Sequence, residues 1–199
     1  MAGRKRLTRE DWAAAALTAL GEGGLSAVAV EPIAVRLGAT KGSFYWHFAN
    51  RDALVEAALT LWEQRNTTDV ITAAAAAPDA LGALRALVSQ VLHSATAAAD
   101  DPGAVEPALQ AGAGHPLVGP TLERVSRRRL EHLQTMFAEL GFDRDEAARR
   151  GLAAFTAYLG HVQIARATPA LLPRGADLTA YIDSLITTLT TPGSTRGAA

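Results

Sequence analysis

Apolar residues recur at helical spacing along nearly the whole chain, between breaks made by glycine and proline. Sustained alternation of apolar and polar residues, which is typical of a half-buried strand, is nearly absent. A helix of this kind gains most of its stability by burying its apolar stripe against other helices. The pattern therefore predicts an all-α fold.

The N-terminal part of the chain has recognisable helix ends. Thr8 and Asp11 form a capping-box pattern at the first helix, and the glycines of residues 21–24 predict its end. Gly38 follows a second, short helix at a position where a left-handed residue is expected. A third helix follows, and Asn50 is the predicted cap of a fourth.

Five further helices are predicted in the rest of the chain, at about residues 79–99, 104–112, 116–140, 143–168 and 177–191. Gly- and Pro-containing stretches separate them. The sequence thus predicts an N-terminal module (residues 1–50), a larger helical body (51–191) and a flexible tail (192–199).

The composition excludes several classes of protein. With 199 residues, of which 49% are hydrophobic, the chain is long and apolar enough to form one or two compact domains. It has no cysteine, which excludes a disulfide framework and a thiolate zinc site. We find no signal-peptide pattern and no apolar run of the ~20 residues that a bilayer requires. We therefore expect a cytoplasmic protein with no membrane partner.

Basic residues are concentrated near the N terminus. Residues 1–51 contain seven Lys and Arg against four Asp and Glu, whereas the remainder contains twelve against sixteen. Both lysines, Lys5 and Lys41, lie in the first part. If the chain binds a polyanion, the N-terminal module is where we expect it.

The spacing of the aromatic residues in 40–48 predicts a short helix with one buried and one exposed side. At about 100° per residue, Phe44 and Phe48 share one face and Trp46 points directly away from it. Gly42 and Ser43 lie near Trp46. An aromatic run is more often core than not, and we expect this for the two phenylalanines. A helix this short has no second face on which to bury its other rings.

This cross-section suits a helix that lies in the major groove of double-stranded DNA. A ridge of Gly42, Ser43 and Trp46 would meet base edges, where glycine permits a close approach, serine forms hydrogen bonds and tryptophan contacts thymine methyl groups. Tyr45 and His47 project to either side of the ridge, towards the two phosphate walls. The segment is therefore predicted to be the reading part of a helix-turn-helix.

Residues on either side of the ridge are further candidates for DNA contact. Thr40 can offer its hydroxyl to a phosphate, and Lys41 can reach a phosphate or a guanine. Asn50 and Arg51 begin the next helix, where a cation opposes the helix dipole unless a phosphate binds there. The basic residues among 4–9 either form an arm at the groove edge or are simply solvated, and the sequence leaves both readings open.

The segment from Ile33 to Leu54 resembles the N-terminal signature of the TetR (tetracycline repressor) family. The Tyr-x-His-Phe element at residues 45–48 and the Asn-basic-x-x-Leu helix start at residues 50–54 occur in register. The resemblance covers about residues 8–62. It implies a homodimer, a small-molecule pocket in each helical body, and release from an operator when the ligand binds.

Position by position, the resemblance implies phosphate contacts and base contacts from two groups of residues. The phosphate group is Thr40, Tyr45, His47 and Arg51, and the base group is Lys41, Gly42, Ser43 and Trp46.

Two features depart from the family pattern. Ala29 stands where the family commonly has a Ser or Thr cap, and Pro32 stands where a polar residue is usual, so no polar contact is predicted from the second helix. Arg51 replaces the usual lysine, which keeps the charge and changes the hydrogen-bonding geometry.

The last two helices carry apolar residues that belong either to the monomer core or to the dimer interface that the resemblance implies. A two-fold dimer would place two recognition helices about one DNA turn, roughly 34 to 36 Å, apart. Position in the sequence does not separate core from interface. The candidates for the interface are Phe155, Tyr158, Leu159, Val162, Tyr181, Leu185 and Leu189.

Polar residues embedded in apolar helices are candidates for the ligand pocket. A lone histidine on such a face is more often a satisfied core residue than a ligand contact. The histidines lack metal-ligand spacing, so no metal and no cofactor are predicted. The apolar surroundings favour a hydrophobic or aromatic effector. The candidates are Gln90, His93, His132, His161 and Gln163.

Two other functions remain open at this point. A helix-turn-helix protein whose helical body binds a partner differs only in lacking a regulated pocket. An all-α enzyme is the other alternative, but the sequence has no nucleophile elbow, phosphate loop or paired-carboxylate pattern. No catalytic residue is therefore predicted.

Overall fold

The computed structural model describes residues 7–97 and 104–192, and within these ranges the chain is helical and contains no strand. The all-α prediction is confirmed. No helix in the described ranges is long and apolar enough to cross a membrane. The elements are α1 (Arg9–Ala27), α2 (Val30–Arg36), α3 (Lys41–Phe44), α4 (Arg51–Glu63), a π-helical segment (Gln64–Thr68), α5 (Asp69–Ala74), α6 (Ala80–Ala97), α7 (Val105–Ala111), α8 (Gly119–Glu139), α9 (Arg144–Ala167), a 3-10 turn (Pro169–Leu171) and α10 (Gly175–Thr190).

Helix α1 begins as the sequence predicts and ends later than predicted. The Thr8 hydroxyl accepts from the Asp11 amide at 3.1 Å, and the Asp11 carboxylate accepts from the Thr8 amide at 2.7 Å, which completes the capping box. The glycines do not terminate the helix. They kink it, with Gly24 at φ 67°, and a further turn runs on to Ala27.

The turn between α2 and α3 is built around Gly38, at φ 61°. Its amide donates to the Val35 carbonyl at 3.0 Å, and the Ala39 amide donates to the Ala34 carbonyl at 2.8 Å. This pair of bonds is a Schellman motif, which ends α2 and turns the chain into α3. The predicted left-handed glycine is confirmed, and with it the turn of the helix-turn-helix.

The described residues group into two compact units, one drawn from 1–70 and 98–127 and the other from 71–97 and 128–199. The first has a core around Trp12, Phe44 and Trp62, which are fully buried where α1 packs against α4 and α7. The second packs α6, α9 and α10 together. The domains predicted from the sequence, 1–50 and 51–191, remain a prediction.

Candidate nucleic-acid interface

The predicted recognition helix is shorter than the sequence suggests. Regular α-helix ends at Phe44, and residues 45–47 form a turn in which both the His47 and the Phe48 amides donate to the Phe44 carbonyl. The His47 carbonyl, which a continuing helix would use for its own ladder, accepts instead from the Arg9 side chain at 2.6 Å. The helical prediction for residues 45–48 is therefore wrong.

The two phenylalanines nevertheless anchor the segment as predicted. Phe44 and Phe48 are buried, and their rings stack with centroids 5.6 Å apart. Trp12 of α1 meets Phe44 edge-on at 5.5 Å. The guanidinium of Arg9 lies 4.2 Å from the centre of the Phe48 ring. Helix α1 thus holds the segment in two ways: Trp12 and Arg9 contact the phenylalanine rings, and Arg9 also binds the His47 carbonyl.

The opposite side of the segment is exposed. Trp46 is 88% exposed and Tyr45 is 57% exposed, which makes them the two most exposed aromatic residues among those that the structure describes. Gly42 is exposed and Ser43 is half-buried. The structure thus leaves Gly42, Tyr45 and Trp46 exposed and Ser43 partly exposed, as the predicted ridge requires. Its DNA contacts remain a prediction.

Local hydrogen bonds define what Thr40 and Ser43 can offer to a partner. The Ser43 hydroxyl donates to the Thr40 carbonyl at 2.7 Å, and the Thr40 hydroxyl accepts from the Ser43 amide at 3.2 Å. Ser43 therefore has lone pairs left with which to accept, whereas Thr40 keeps its proton to donate. An acceptor at Ser43 suits an amino group on a base edge, and a donor at Thr40 suits a phosphate oxygen.

Arg51, at the start of α4, turns towards the end of α1. Its Nε donates to the Val28 carbonyl at 2.6 Å, and a terminal nitrogen donates to the Leu25 carbonyl. Another terminal nitrogen lies 3.5 Å from the Asp52 carboxylate. In this conformation the guanidinium satisfies carbonyl groups that follow the kink at Gly24. A phosphate contact by the same side chain remains a prediction.

Asn50 caps α4 as predicted, because its side-chain oxygen accepts from the Ala53 amide at 2.9 Å. Its side-chain amino group stays available as a donor next to the first turn of α4. His47 is half-buried, with its ring 6.5 Å from Trp12. Of the basic N-terminal residues, 4–6 lie outside the described ranges.

Sequence reasoning missed one charged residue beside the ridge. Glu31 of α2 is 70% exposed, and its carboxylate accepts from Lys41 Nζ at 2.7 Å. The hydrogen bond from Lys41 lowers the pKa of Glu31, and the same bond raises the pKa of Lys41. The second helix thus does have a polar group here, although Ala29 forms no side-chain cap, as predicted. Helical periodicity does not predict the pairing of Glu31 with Lys41, because the two residues are ten positions apart and lie on different helices.

The predicted ligand contacts all fall in the second unit, and the structure separates them by burial. Gln90, His93 and Gln163 are exposed. His132 is half-buried, and burial lowers its pKa. Its Nε2 is buried without a hydrogen-bond partner within residues 7–97 and 104–192.

His161 is the most enclosed of these candidates, at 3% exposure. Its Nε2 lies 2.8 Å from the Thr96 hydroxyl, and that hydroxyl donates to the Leu92 carbonyl. Since the hydroxyl proton is used, His161 Nε2 must be the donor to Thr96. Burial lowers the pKa of His161, in agreement with a neutral ring, and Tyr181 stacks on it at 6.0 Å.

The predicted interface residues divide in the same way. Phe155, Val162 and Leu189 are buried within the protomer. The others, Tyr158, Leu159, Tyr181 and Leu185, retain exposed surface. Leu152, which is not among the predicted interface residues, lies two helical turns before Leu159 on α9 and is 55% exposed.

No cluster of metal-ligating side chains occurs in the part of the chain that the structure describes. The sequence has no significant match among curated proteins. The comparisons that do match concern the N-terminal module and the fold.

Solved structures share the fold along nearly the whole chain. A transcriptional regulator from Rhodococcus sp. Rha1 is 23% identical, with a TM-score of 0.72 over 92% of this chain and 96% of its own. A TetR-family transcriptional regulator from Streptomyces coelicolor is 19% identical, with a TM-score of 0.71 over 92% and 96%. SmeT, the repressor of the Stenotrophomonas maltophilia multidrug efflux pump SmeDEF, is 18% identical, with a TM-score of 0.67 over 98% and 99%. At these identities the likeness establishes a common fold.

The family comparison concerns the module that carries the ridge. Residues 13–58 match the family model described as bacterial regulatory proteins, tetR family. The matched segment contains the Schellman turn at Gly38, the buried phenylalanines and the exposed Trp46. Over these residues the N-terminal module is similar to the tetR family of bacterial regulatory proteins.

Proposed function

We propose that this chain is a DNA-binding transcriptional repressor that leaves a palindromic operator when it binds a small, hydrophobic ligand. The observation that carries the proposal is the exposure of Trp46, which is 88% accessible although Phe44 and Phe48 on either side of it in the sequence are buried. A large ring held out on a rigid base beside hydrogen-bonding groups is typical of a binding surface.

The ridge is proposed to read bases. Gly42 is open on its outer side, where the nearest atom to an added Cβ would be the Thr40 hydroxyl at 3.8 Å, so the backbone can approach DNA closely. Ser43 accepts from an amino group, and Trp46 covers a thymine methyl group or a sugar. These contacts differ between sequences, so they supply specificity.

The flanks are proposed to hold phosphates. Thr40 and Tyr45 donate hydroxyl protons, and His47 lies on the same segment. Asn50 and the free amide groups of the first turn of α4 make a second phosphate site, supported by the helix dipole. Arg51 fixes this end of α4 through its bonds to Leu25 and Val28, and it adds positive charge nearby.

A homodimer is proposed because a two-fold operator needs two recognition segments. The exposed part of α9, at Leu152 and Leu159, and Tyr181 and Leu185 of α10 supply apolar surface for pairing. Phe155, Val162 and Leu189 support these helices from within the protomer instead.

The ligand is proposed to bind among the apolar helices of the second unit. His132 supports this, since its buried Nε2 has no hydrogen-bond partner among the described residues and could receive one from a ligand. Gln90, His93 and Gln163 are exposed, so they are weaker candidates than His132 and His161.

Release is proposed to follow from differential binding. If the ligand prefers a state whose recognition segments are wrongly spaced for two half-sites, it moves the population off DNA. By linkage, DNA must weaken ligand binding by the same factor. Repression is supported by the family match and by SmeT, a repressor that shares the fold. Ligand binding of equal strength with and without operator would contradict this regulation.

The experiment that tests the function is selection of bound DNA from a random-sequence pool by the full chain. We expect an inverted repeat whose half-sites lie about one helical turn apart. Selection of no common sequence would contradict the proposal, and a single, non-repeated motif would contradict the dimeric part of it.

A further inference from the structure

An ion pair joins the two helices of the helix-turn-helix on their exposed side. Glu31 of α2 and Lys41 of α3 lie 2.7 Å apart, and their side chains are 70% and 57% exposed. Lys41 is adjacent to Gly42, the start of the ridge. A carboxylate is therefore held within hydrogen-bonding distance of a group proposed to contact DNA.

A carboxylate in this position needs an explanation, because DNA is a polyanion. Glu31 weakens the attraction of Lys41 for phosphate, and it repels phosphate itself. Pairs between exposed side chains add little stability, so stability of the module does not account for it. At this position the exposed face of α2 and α3 therefore attracts DNA less strongly than it would without Glu31.

Carboxylate and ammonium together match one kind of base pair in the major groove. Guanine presents two acceptors, O6 and N7, which lysine recognises, whereas cytosine presents an amino donor, which glutamate recognises. A Glu and a Lys held side by side can therefore contact both halves of a G·C pair. An A·T pair also presents an amino donor, on adenine N6, but it lacks the two adjacent acceptors of guanine that lysine recognises, so it does not satisfy both side chains in the same arrangement.

We propose that Glu31 and Lys41 act as one specificity-determining unit that reads a G·C base pair in each half-site. This inference rests on the proposed function, since it assigns a role within the same DNA surface. Glu31 acts in two ways in it: it accepts from the cytosine amino group, and it restrains Lys41 from binding phosphate indiscriminately.

The test repeats the selection of bound DNA with three proteins: wild type, Glu31→Gln and a control, Glu22→Gln. The control removes a carboxylate from another exposed pair of the same module, Glu22 with Arg36 at 2.5 Å. Glu31 is exposed, so its variant should fold. Affinity for the selected site and for an unrelated duplex is then measured against salt concentration.

We expect Glu31→Gln to lose about tenfold of the preference for G·C at one half-site position, because the neutral amide is a weaker acceptor for the cytosine amino group and no longer restrains Lys41. Its affinity for unrelated DNA should rise, and its salt slope should steepen by about one counterion as Lys41 becomes free for phosphate. The control should match wild type in its selected sequence.

An unchanged selected sequence for Glu31→Gln, or an equal change in the control, would overturn the inference while leaving the proposed function in place. A wild-type protein that selects no common sequence would overturn the proposed function and this inference with it. The two failures are therefore distinguished by the wild-type selection alone.

Discussion

Replacing Arg51 with methionine should destabilise the N-terminal unit even without DNA. Methionine keeps an unbranched apolar stem of similar length, while both hydrogen bonds to the Val28 and Leu25 carbonyls are removed. Bonds from a charged donor contribute about 1.5–3 kcal/mol each, and the 38% exposure of the side chain places these at or below the lower end. We therefore expect the free energy of unfolding to fall by about 2 kcal/mol. Arg51→Lys can keep one of the two bonds, so its loss should be about half as large.

Tryptophan fluorescence during urea unfolding measures this loss in the unit concerned. Trp12 and Trp62 are fully buried in its core, whereas Trp46 is exposed. All variants should therefore carry Trp46→Phe, which leaves the two buried reporters. A change of less than about 0.5 kcal/mol for Arg51→Met, the usual range for surface substitutions, would refute the role assigned to the carbonyl contacts.

Three further predictions concern DNA contact, assembly and pH. Tyr45→Phe removes one proposed phosphate donor, so affinity should fall about fivefold for every duplex with no change in selected sequence; a changed sequence in the selection experiment would contradict the phosphate role. Leu152→Glu should shift the proposed dimer to monomer in sedimentation, whereas Leu171→Glu, which alters an even more exposed leucine at 76%, should not; equal behaviour of the two variants would contradict the α9 interface. Because burial lowers the pKa of His161, the unfolded chain binds more protons, so stability should be full above the unfolded pKa near 6.5 and fall as the pH drops below it, by at most about 1.4 kcal/mol per pH unit for this group. His161→Gln should show a smaller fall in urea unfolding between pH 7.5 and 5.5, and an identical fall would contradict the assignment.

Features set by local spacing could be predicted from the sequence. The capping box at Thr8, the left-handed Gly38 and the burial of Phe44 and Phe48 all depend on residues within one or two turns. The exposure of Trp46 follows from the same spacing, although the regular helix ends at Phe44. Periodicity correctly predicted that Trp46 is exposed, because residues 45–48 still form a turn in which the His47 and Phe48 amides donate to the Phe44 carbonyl.

Features set by distant partners could not be predicted in this way. Arg9 takes the His47 carbonyl from 38 residues away and so limits the length of α3. Arg51 meets carbonyl groups 23 and 26 residues earlier, where the sequence suggests only a cation opposed to a helix dipole. The division of the α9 and α10 residues into buried and exposed likewise depends on which helices pack together.

Protection of Trp46 by bound DNA is the sharpest test of the proposed reading surface. Trp46 is the accessible tryptophan of the three in the sequence, so acrylamide quenching of tryptophan fluorescence reports mainly on it. We expect a saturating amount of the selected duplex to reduce quenching sharply in the wild type and to have little effect in Trp46→Phe. Saturated binding that leaves the quenching of wild-type fluorescence unchanged would show that Trp46 does not face DNA, and would contradict the proposed reading surface.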